Sequence, residues 1–490
     1  MKVLFLVNSR EYARSYLETC AFKDVSSLGE ISLYVEETID LKQYDTSYFS
    51  KILKREKDTD TRIGQYLFDL YMINLRKKHP SFAFRVKRKF PNTYWQWKYL
   101  RRISVAKPNN IGTSDISVIL NKKKNRFVEV KLQKIKFLRN YLSGKLRKFL
   151  FFFFASKLVF PISRKVLRTL FRIETINKNK IDFSSYDLII IPSSGYESFT
   201  LGALECARRD GTKTMLLIDN WDNLSSKSFL WIKPDFLCAW GPQSVEHAIR
   251  IQKMDPECCL SIGTPRIDRY FGRENLYIKS IYDFEYILFA GSSVEYKESD
   301  YLEILDYELS KYNDLHGRNI KIVYRPHPLR GGWKMANFNN LKNTILDNDL
   351  VAIVESGDIR WNSKVQLPSL ENYISLFKNS LFVVSGLTSM LIESCIFNKK
   401  TLAIAVHEED NLTSPHSIYK EYEHFRGIDN IPSLTIIKNL ENLRKEFWDS
   451  LNQKDYSWDN SKEIQYFIYH DEDTYSKRLK KTIRFALEPD

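Results

Sequence analysis

Two carboxylates three residues apart, Asp219 and Asp222, are the first candidates for acid–base chemistry in this sequence. They flank a single tryptophan, Trp221, in a polar segment that directly follows an apolar run typical of a buried strand. A reaction in which a hydroxyl attacks needs one base to take its proton, and Asp222 is the first candidate, with Asp219 the second. Alternatively, these Asp and Asn side chains only build a turn or a helix cap. Glu197, after another predicted strand, is a third carboxylate for the base or for contact with an acceptor.

A second set of side chains suits an anion. His327 lies between two prolines directly after a predicted strand, and Arg325 lies two residues earlier on the same face of an extended segment. Imidazole and guanidinium groups together suit a diphosphate or a carboxylated sugar. A structural histidine is the alternative, since a second His-Pro pair, His79-Pro80, stands in a basic stretch where we assign it no role.

A loop with a glycine and three hydroxyls, from Ser385, Thr388 and Ser389, follows a further predicted strand and opens a helix. Backbone N–H groups and hydroxyls at the positive end of a helix bind phosphate. Glu393 is one turn further along this helix, and Ser292 follows another predicted strand of the same half of the chain. Thr388 or Ser389 acting only as an N-cap is the alternative.

Elements that position these residues are visible as short β-branched runs alternating with helical patterns, which indicate parallel α/β folding. The pattern predicts one unit over residues 1–272 and a second over residues 285–440. Residues 441–490 read as helices, of which the last can cross back to the first unit. Ligands bind outside the carboxyl ends of strands in open α/β sheets, where all the candidates above stand. We therefore expect two Rossmann-like domains that face a cleft.

Composition narrows the class of protein. The fractions of 43% hydrophobic and 28% charged residues are those of a globular chain. Six cysteines without CxxC spacing favour a reducing compartment, and the N-terminus resembles a first strand more than a signal peptide, so we expect a cytoplasmic protein. The sequence contains no HExxH and no acidic pair flanked by apolar residues, so it predicts neither a metal ion nor another cofactor.

The net charge of +15 is concentrated in residues 81–180, which hold 26 basic and 3 acidic side chains, so the remainder of the chain is net acidic. This basic insertion includes a Phe-rich run at residues 149–160, shorter than the roughly 20 apolar residues that span a bilayer. Basic residues interleaved with aromatic ones fit an interfacial helix on an anionic membrane surface. A charged face over a buried core is the alternative. Nucleic acid is the least favoured partner, because no RNP-like, helix-turn-helix or zinc pattern accompanies the charge.

The His-Pro after a strand and the Ser-x-x-Thr-Ser that opens a helix, with Glu393 one turn in, resemble the donor domain of bacterial GT-B glycosyltransferases. The similar groups are capsule and lipopolysaccharide transferases, including polysialyl- and Kdo-transferases, and teichoic-acid glycerophosphotransferases. The resemblance covers residues 186–405 and implies that His327, Thr388 and Ser389 contact the nucleotide phosphate. The acidic-acidic-Gly motif of sialyltransferases is not clearly present, which argues against a sialic acid donor.

The segment Gly263-Thr-Pro-Arg266 is similar to the interdomain loop of these enzymes, where Gly263 would let the backbone approach a ligand closely and Arg266 would line the cleft. In the GT-B family the leaving group is stabilised by a helix dipole and basic side chains, so the resemblance implies no metal ion. We expect an inverting transfer of sugar from a nucleotide sugar to a growing capsule or lipopolysaccharide glycan, free or lipid-linked, at the inner face of the membrane.

Three alternatives remain open from the sequence. Two share the fold: a glycerol- or ribitol-phosphate transferase that uses a CDP-alditol, and a nucleotide-sugar epimerase. The third is a membrane- or nucleic-acid-binding protein on an inactive transferase scaffold. Fold alone does not decide among them, because function resides in the site.

Overall fold

A computed structural model describes most of the chain outside the basic insertion. The described residues are 1–55, 153–178, 181–195, 197–272, 278–294, 296–327, 341–350, 370–407, 414–453 and 458–488, with six single positions between 67 and 83. The basic motifs predicted between residues 84 and 152, and the first part of the Phe-rich run, lie outside the described residues.

Seven parallel strands form the sheet of the first domain, in the order β3-β2-β1-β4-β5-β6-β7. The strands are β1 (Lys2–Val7), β2 (Glu30–Glu36), β3 (Lys51–Arg55), β4 (Leu188–Ser193), β5 (Lys213–Ile218), β6 (Phe236–Ala239) and β7 (Cys259–Ser261). Apolar runs such as the one in β4 are buried along their whole length, as expected for strands covered by helices on both faces.

Six parallel strands form the sheet of the second domain, in the order β10-β9-β8-β11-β12-β13. They are β8 (Tyr286–Ala290), β9 (Lys321–Arg325), β10 (Thr344–Leu346), β11 (Val383–Ser385), β12 (Thr401–Ile404) and β13 (Leu434–Ile437). In each sheet the strand order reverses once, between β1 and β4 and between β8 and β11. These two switch points are where doubly wound sheets bind ligands.

The described helices cover both sheets. They are α1 (Arg10–Tyr16), α2 (Phe160–Lys178), α3 (Ser198–Asp210), α4 (Pro242–Arg250), α5 (Pro265–Asp268), α6 (Glu298–His316), α7 (Leu370–Lys378), α8 (Met390–Ile396), α9 (Pro415–Glu421), α10 (Leu440–Asn452), α11 (Ser461–Phe467) and α12 (Tyr475–Leu487). Polar side chains fix several starts: Ser9 and Asn439 accept backbone N–H groups of the first turns of α1 and α10. The prediction of two Rossmann-like domains in the GT-B arrangement is confirmed.

The C-terminal helices divide between the two domains. Helix α10 packs on the second sheet, where Phe447 contacts the ring of Phe382. Helix α12 packs on the first sheet, and its Leu479 and Ile483 are completely buried in the same core as Phe5. The end of the described chain thereby completes the core that its beginning starts.

Helix α2 is the longest described element of the basic insertion. Phe171 is fully buried in the core of the first domain, and Arg172 donates to Glu205 of α3 at 2.7 Å. Arg168 lies 3.4 Å from the same carboxylate, which is 1% exposed. These contacts hold α2 firmly on α3. Within the described ranges, no helix combines the length and apolar character needed to cross a bilayer.

Candidate active site between the two domains

Polar loops of the second domain meet at the carboxyl ends of β9, β8 and β11. At Gly291, directly after β8, a side chain would come within 2.8 Å of the backbone nitrogen of His327, so only glycine allows the two loops to lie this close. The hydroxyl of Ser292 donates to the carbonyl of Leu387 at 2.7 Å, which ties the loop after β8 to the loop after β11. The structure therefore brings His327, Ser292 and the Ser-Gly-Leu-Thr-Ser loop together around the switch point.

The serines of this cluster have different environments. Ser385 is completely buried and donates to the carbonyl of Ala290 at 3.0 Å, as Ser292 does to Leu387, so both hydroxyls are used within the protein. Thr388 and Ser389 are half-buried at the start of α8. Ser389 makes no capping bond to the helix; it donates instead to the Glu393 carboxylate at 3.0 Å. The capping alternative for Ser389 does not describe its side chain.

Arg325 is held by acidic neighbours at the end of β9. Its guanidinium forms a buried ion pair with Asp347 and lies 3.8 Å from Asp349. It also lies over the ring of Tyr373 at 4.2 Å, and Arg14 of the first domain lies 5.5 Å from the same ring. The structure thus places Arg325 beneath the loops, next to the domain interface, with its charge already paired.

Glu393 links the two domains. It is 1% exposed and accepts a hydrogen bond from the Tyr270 hydroxyl at 2.9 Å, while the Arg266 guanidinium lies 3.5 Å from it. Tyr270 and Arg266 belong to the first domain, and Ser389 of the second domain donates to the same carboxylate. The predicted cleft residue Arg266 and the predicted donor residue Glu393 are therefore direct partners.

On the first domain, Asp219 follows β5 and is half-buried. Burial raises the pKa of its carboxyl to about 6; the Arg266 guanidinium opposes this shift and the Glu197 carboxylate adds to it. Within the described part of the chain, no donor forms a hydrogen bond to the Asp219 carboxylate, while its backbone carbonyl accepts from the Trp240 indole at 3.1 Å. A carboxyl in this state can exchange a proton near neutral pH.

Asp222 has a different environment in the same loop. Its carboxylate is paired with the Lys227 ammonium at 2.9 Å and accepts from the Ser226 hydroxyl at 3.2 Å. The intervening Trp221 is 3% exposed and packs edge-on against Phe425 of the second domain, with ring centroids 5.4 Å apart. Trp221 fixes the loop, Lys227 neutralises Asp222, and Asp219 keeps its carboxylate available.

Glu197 serves the loop after β4. It accepts from the Ser194 backbone at 2.9 Å, from the Tyr12 hydroxyl at 2.5 Å and from the Ser193 hydroxyl. Three hydrogen bonds to one carboxylate hold α1, the helix that follows β1, against the end of β4 at the switch point of the first sheet. Its charge also acts on Asp219.

Gly263 follows β7 in the left-handed conformation, with φ +78°. A side chain here would collide with the carbonyl oxygen of Tyr469, so the close approach predicted for a ligand is made by the protein's own C-terminal segment. The backbone of Tyr469 also donates to the carbonyl of Trp240 at 2.7 Å. The C-terminal segment therefore covers the ends of β6 and β7 and leaves those of β1, β4 and β5 to the candidate site.

Several site residues escaped the sequence analysis. Tyr270, Tyr373 and Arg14 stand in helices or turns and not in the loops directly after strands, and nothing in their sequence spacing marks them. His424 accepts or donates a hydrogen bond to Ser225 at 3.1 Å and lies 5.0 Å from the Trp221 ring. Only the packing of the two domains brings these residues together. Among the residues that the structure describes, no group of three or more His, Cys, Asp or Glu side chains is arranged to hold a metal ion.

Comparison with known proteins gives matches in structure alone. No family model and no curated protein sequence matches the chain. One similar structure is the UDP-GlcNAc 2-epimerase from Methanocaldococcus jannaschii, at 9% identity and a TM-score of 0.49, covering 99% of this chain and 100% of that one. A glycotransferase of kitacinnamycin is similar at 10% identity and a TM-score of 0.41, over 99% and 94%. The wall teichoic acid polymerase TagF is similar at 14% identity and a TM-score of 0.31, over 65% and 85%.

Proposed function

We propose that the protein is a glycosyltransferase that moves a sugar from a nucleotide-sugar donor to a hydroxyl of a growing surface polysaccharide, with inversion and without a metal ion. One observation carries the proposal. The half-buried Asp219, whose pKa is raised to about 6, lies on the first domain beside Arg266, and Arg266 contacts Glu393 on the helix that follows the hydroxyl-bearing loop of the second domain. A proton acceptor and a polar binding loop thus lie on opposite sides of one interface.

The second domain binds the donor in this proposal. His327, Thr388 and Ser389 contact the nucleotide diphosphate, because they carry hydrogen-bond donors and are half-buried in the loops at the switch point. Ser292, Ser385 and the Arg325–Asp347 pair position these loops. The imidazole and the nearby Arg266 guanidinium stabilise the charge that develops on the leaving diphosphate.

The first domain provides the base. Asp219 takes the proton of the acceptor hydroxyl as the oxygen attacks the anomeric carbon, and the bond from that carbon to the diphosphate oxygen breaks on the opposite face. The structure favours Asp219 over Asp222, reversing the order that the sequence suggests, because Lys227 already neutralises Asp222. Asp222 then shapes the loop on which the acceptor rests, together with Glu197.

The acceptor in this proposal is a capsule or lipopolysaccharide glycan, free or lipid-linked. The strongly basic residues 81–180 support a location in the cytoplasm at the inner face of the membrane, where anionic lipids attract such a segment. Nucleic acid is not a partner in this reading.

A panel of nucleotides and nucleotide sugars tests the proposal directly. A nucleotide that binds the native state raises the unfolding midpoint, which identifies the base and sugar to use in a transfer assay. We expect release of the nucleoside diphosphate that depends on an added glycan acceptor and persists in EDTA. Stabilisation by CDP-glycerol or CDP-ribitol, with release of CMP, would instead indicate an alditol phosphotransferase.

An epimerase is the second candidate, because Glu197 lies close enough to Asp219 to raise its pKa and two neighbouring carboxyl groups can move a proton to and from a sugar carbon. Incubation of the donor in heavy water without acceptor separates the two functions. Deuterium on the sugar ring would establish epimerisation and refute the transferase, whereas an unlabelled donor that is consumed only with acceptor supports the transferase.

A further inference from the structure

Helix α2 has an apolar face on the side away from the core. Four aliphatic side chains spaced by four, four and three residues run along it, and Leu158 precedes them in the turn before the helix. Each of the five is between 44% and 90% exposed: Leu158, Ile162, Val166, Leu170 and Ile173. We refer to these five residues as the aliphatic stripe. A surface helix ordinarily turns polar side chains to water, and a contiguous exposed apolar patch marks an interaction surface.

The opposite side of α2 already has its partners. Phe171 is fully buried in the first-domain core, and Arg168 and Arg172 pair with the buried Glu205 of α3. The helix cannot rotate to bury the stripe without losing these contacts. The stripe is therefore presented outward from a rigid base.

Charge indicates what the stripe contacts. Lys157, Arg164 and Lys165 are exposed on the same segment, and residues 81–180, which contain α2, carry a net charge of +23. Phe153 and Phe154, which are 49% and 41% exposed, precede the stripe. Apolar side chains bordered by cations are the pattern of a helix that lies in the interface of an anionic bilayer. A second copy of the chain would bring two strongly basic surfaces together, and nucleic acid offers nothing to a row of aliphatic side chains.

We propose that α2 lies flat on an anionic lipid bilayer with the aliphatic stripe inserted at the level of the head groups. The inference rests on the membrane location in the proposed function and deepens it, since it assigns the docking element and its orientation. The switch point of the first sheet is then held at a fixed height above the lipid surface, because α3, on which α2 packs, directly follows the loop after β4.

The test is binding of the full chain to vesicles of phosphatidylglycerol and phosphatidylcholine in equal parts, measured by flotation. Replacing Ile162, Val166 and Ile173 by serine removes three apolar side chains and keeps every charge. We expect binding to weaken at least about tenfold, since each buried aliphatic side chain contributes favourably to transfer from water. Leu315→Ser is the matched control, because Leu315 is 71% exposed on a helix of the second domain and should leave vesicle binding unchanged.

The outcomes are distinct. Loss of binding in the triple variant, with the control and the thermal midpoint unchanged, supports the inference, as does much weaker binding of the unmodified protein to pure phosphatidylcholine. Equal binding by the triple variant and the unmodified protein overturns it. A dimer that the triple variant dissociates, without any change in vesicle binding, would assign the stripe to self-association and overturn it too. Turnover of a soluble acceptor does not require vesicles, so failure of the proposed chemistry would be recognised separately.

Discussion

The loop after β5 in the first domain and the loops after β8 and β11 in the second domain face the same interface, yet they are built differently. In the second domain the buried serines bond across the switch point, with Ser292 donating to Leu387 and Ser385 donating to Ala290. In the first domain the buried Trp221 fixes the loop, and the Trp240 indole donates to the backbone carbonyl of Asp219. No hydrogen bond from the described residues restrains the carboxylate of Asp219.

This difference separates binding from chemistry. A nucleotide diphosphate is recognised by groups held at fixed positions. The loops of the second domain provide such groups, because hydrogen bonds join these loops to each other. A base must change its protonation state during the reaction, and a carboxylate saturated with hydrogen bonds has its pKa driven down and becomes a poor base. Substitutions on each side should therefore separate donor binding, in the second domain, from proton transfer, in the first.

The largest effect is expected at the proposed base. Asp219→Asn should lower kcat by about 100- to 10,000-fold while leaving the affinity for the donor nucleotide nearly unchanged, because a base acts in the transition state. In the unmodified enzyme kcat/KM should rise as the pH increases through about 6, the pKa of Asp219, since the carboxylate is the active form. Steady-state kinetics across pH measure both effects.

Asp222→Asn is the matched control in the same loop. Because Lys227 already pairs with this carboxylate, we expect a much smaller loss of turnover and an unaltered pH profile. If Asp222→Asn abolished turnover and Asp219→Asn did not, the base would be Asp222, as the sequence suggests.

The second largest effect is expected for the contact between the two domains. Glu393→Gln removes the buried charge that faces Arg266, whose side chain is 28% exposed, so the free energy of unfolding should fall by about 2 kcal/mol. Chemical denaturation of this variant measures the loss. Glu285→Gln, which removes a partner from the exposed pair with Arg318, should cost less than about 1 kcal/mol. Equal costs for the two variants would show that the Glu393 contact does not join the domains energetically.

Donor affinity should respond at the second domain. His327→Ala and Ser389→Ala should each weaken nucleotide binding by about 1.5–3 kcal/mol, the cost of losing a hydrogen bond to a charged group. Isothermal titration with the nucleotide found in the panel measures this change. Ser27→Ala, at an exposed position of the first domain, is the control. Wild-type affinity in both site variants, with the fold intact, would refute the assignment of these two residues.

The smallest effect is expected in how the stability of the protein depends on pH through Asp219. The pKa of Asp219 is about 6 in the native state, whereas the ordinary pKa of an aspartate is 3.8. Because the folded protein holds the proton more tightly than the unfolded chain, the fold loses stability progressively as the pH rises from about 4 to above 6. Asp219→Asn should therefore be more stable than the unmodified protein by about 1–2 kcal/mol at pH 8, and the difference should vanish below pH 4. Denaturation midpoints at both pH values measure this, and a less stable variant at pH 8 would contradict the raised pKa.

Local sequence was sufficient for the fold class and for the position of the candidate loops. Continuous apolar runs such as β4 allow only a strand covered on both faces, and the polar residues after them must stand at its carboxyl end. Four strands were not predicted: β2, β3, β10 and β13. The last three stand at the edges of their sheets and lack the continuous buried run of an inner strand. The roles within the site depend on contacts that the sequence does not show. Asp222 and Asp219 have similar sequence neighbours, and only the ion pair with Lys227, five residues after Asp222, distinguishes their roles.

The helix α2 illustrates the same limit. Its sequence shows basic and apolar residues in alternation, and only the position of Glu205 on α3 determines which side faces the core. The sequence analysis therefore assigned the apolar contact with lipid to the Phe-rich run, which includes Leu158, and did not single out the four exposed aliphatic side chains of α2.

The packing of α12 on the first sheet has a consequence for how the protein is made. The core around Phe5 is complete only when Leu479 and Ile483 have been added, more than 470 positions later in the chain. During synthesis on the ribosome, part of the first domain's core therefore stays exposed until residues 475–487 have been synthesised. The second domain is thus translated before the core of the first domain is complete. The two halves of the proposed site therefore reach their folded state at the same stage of synthesis.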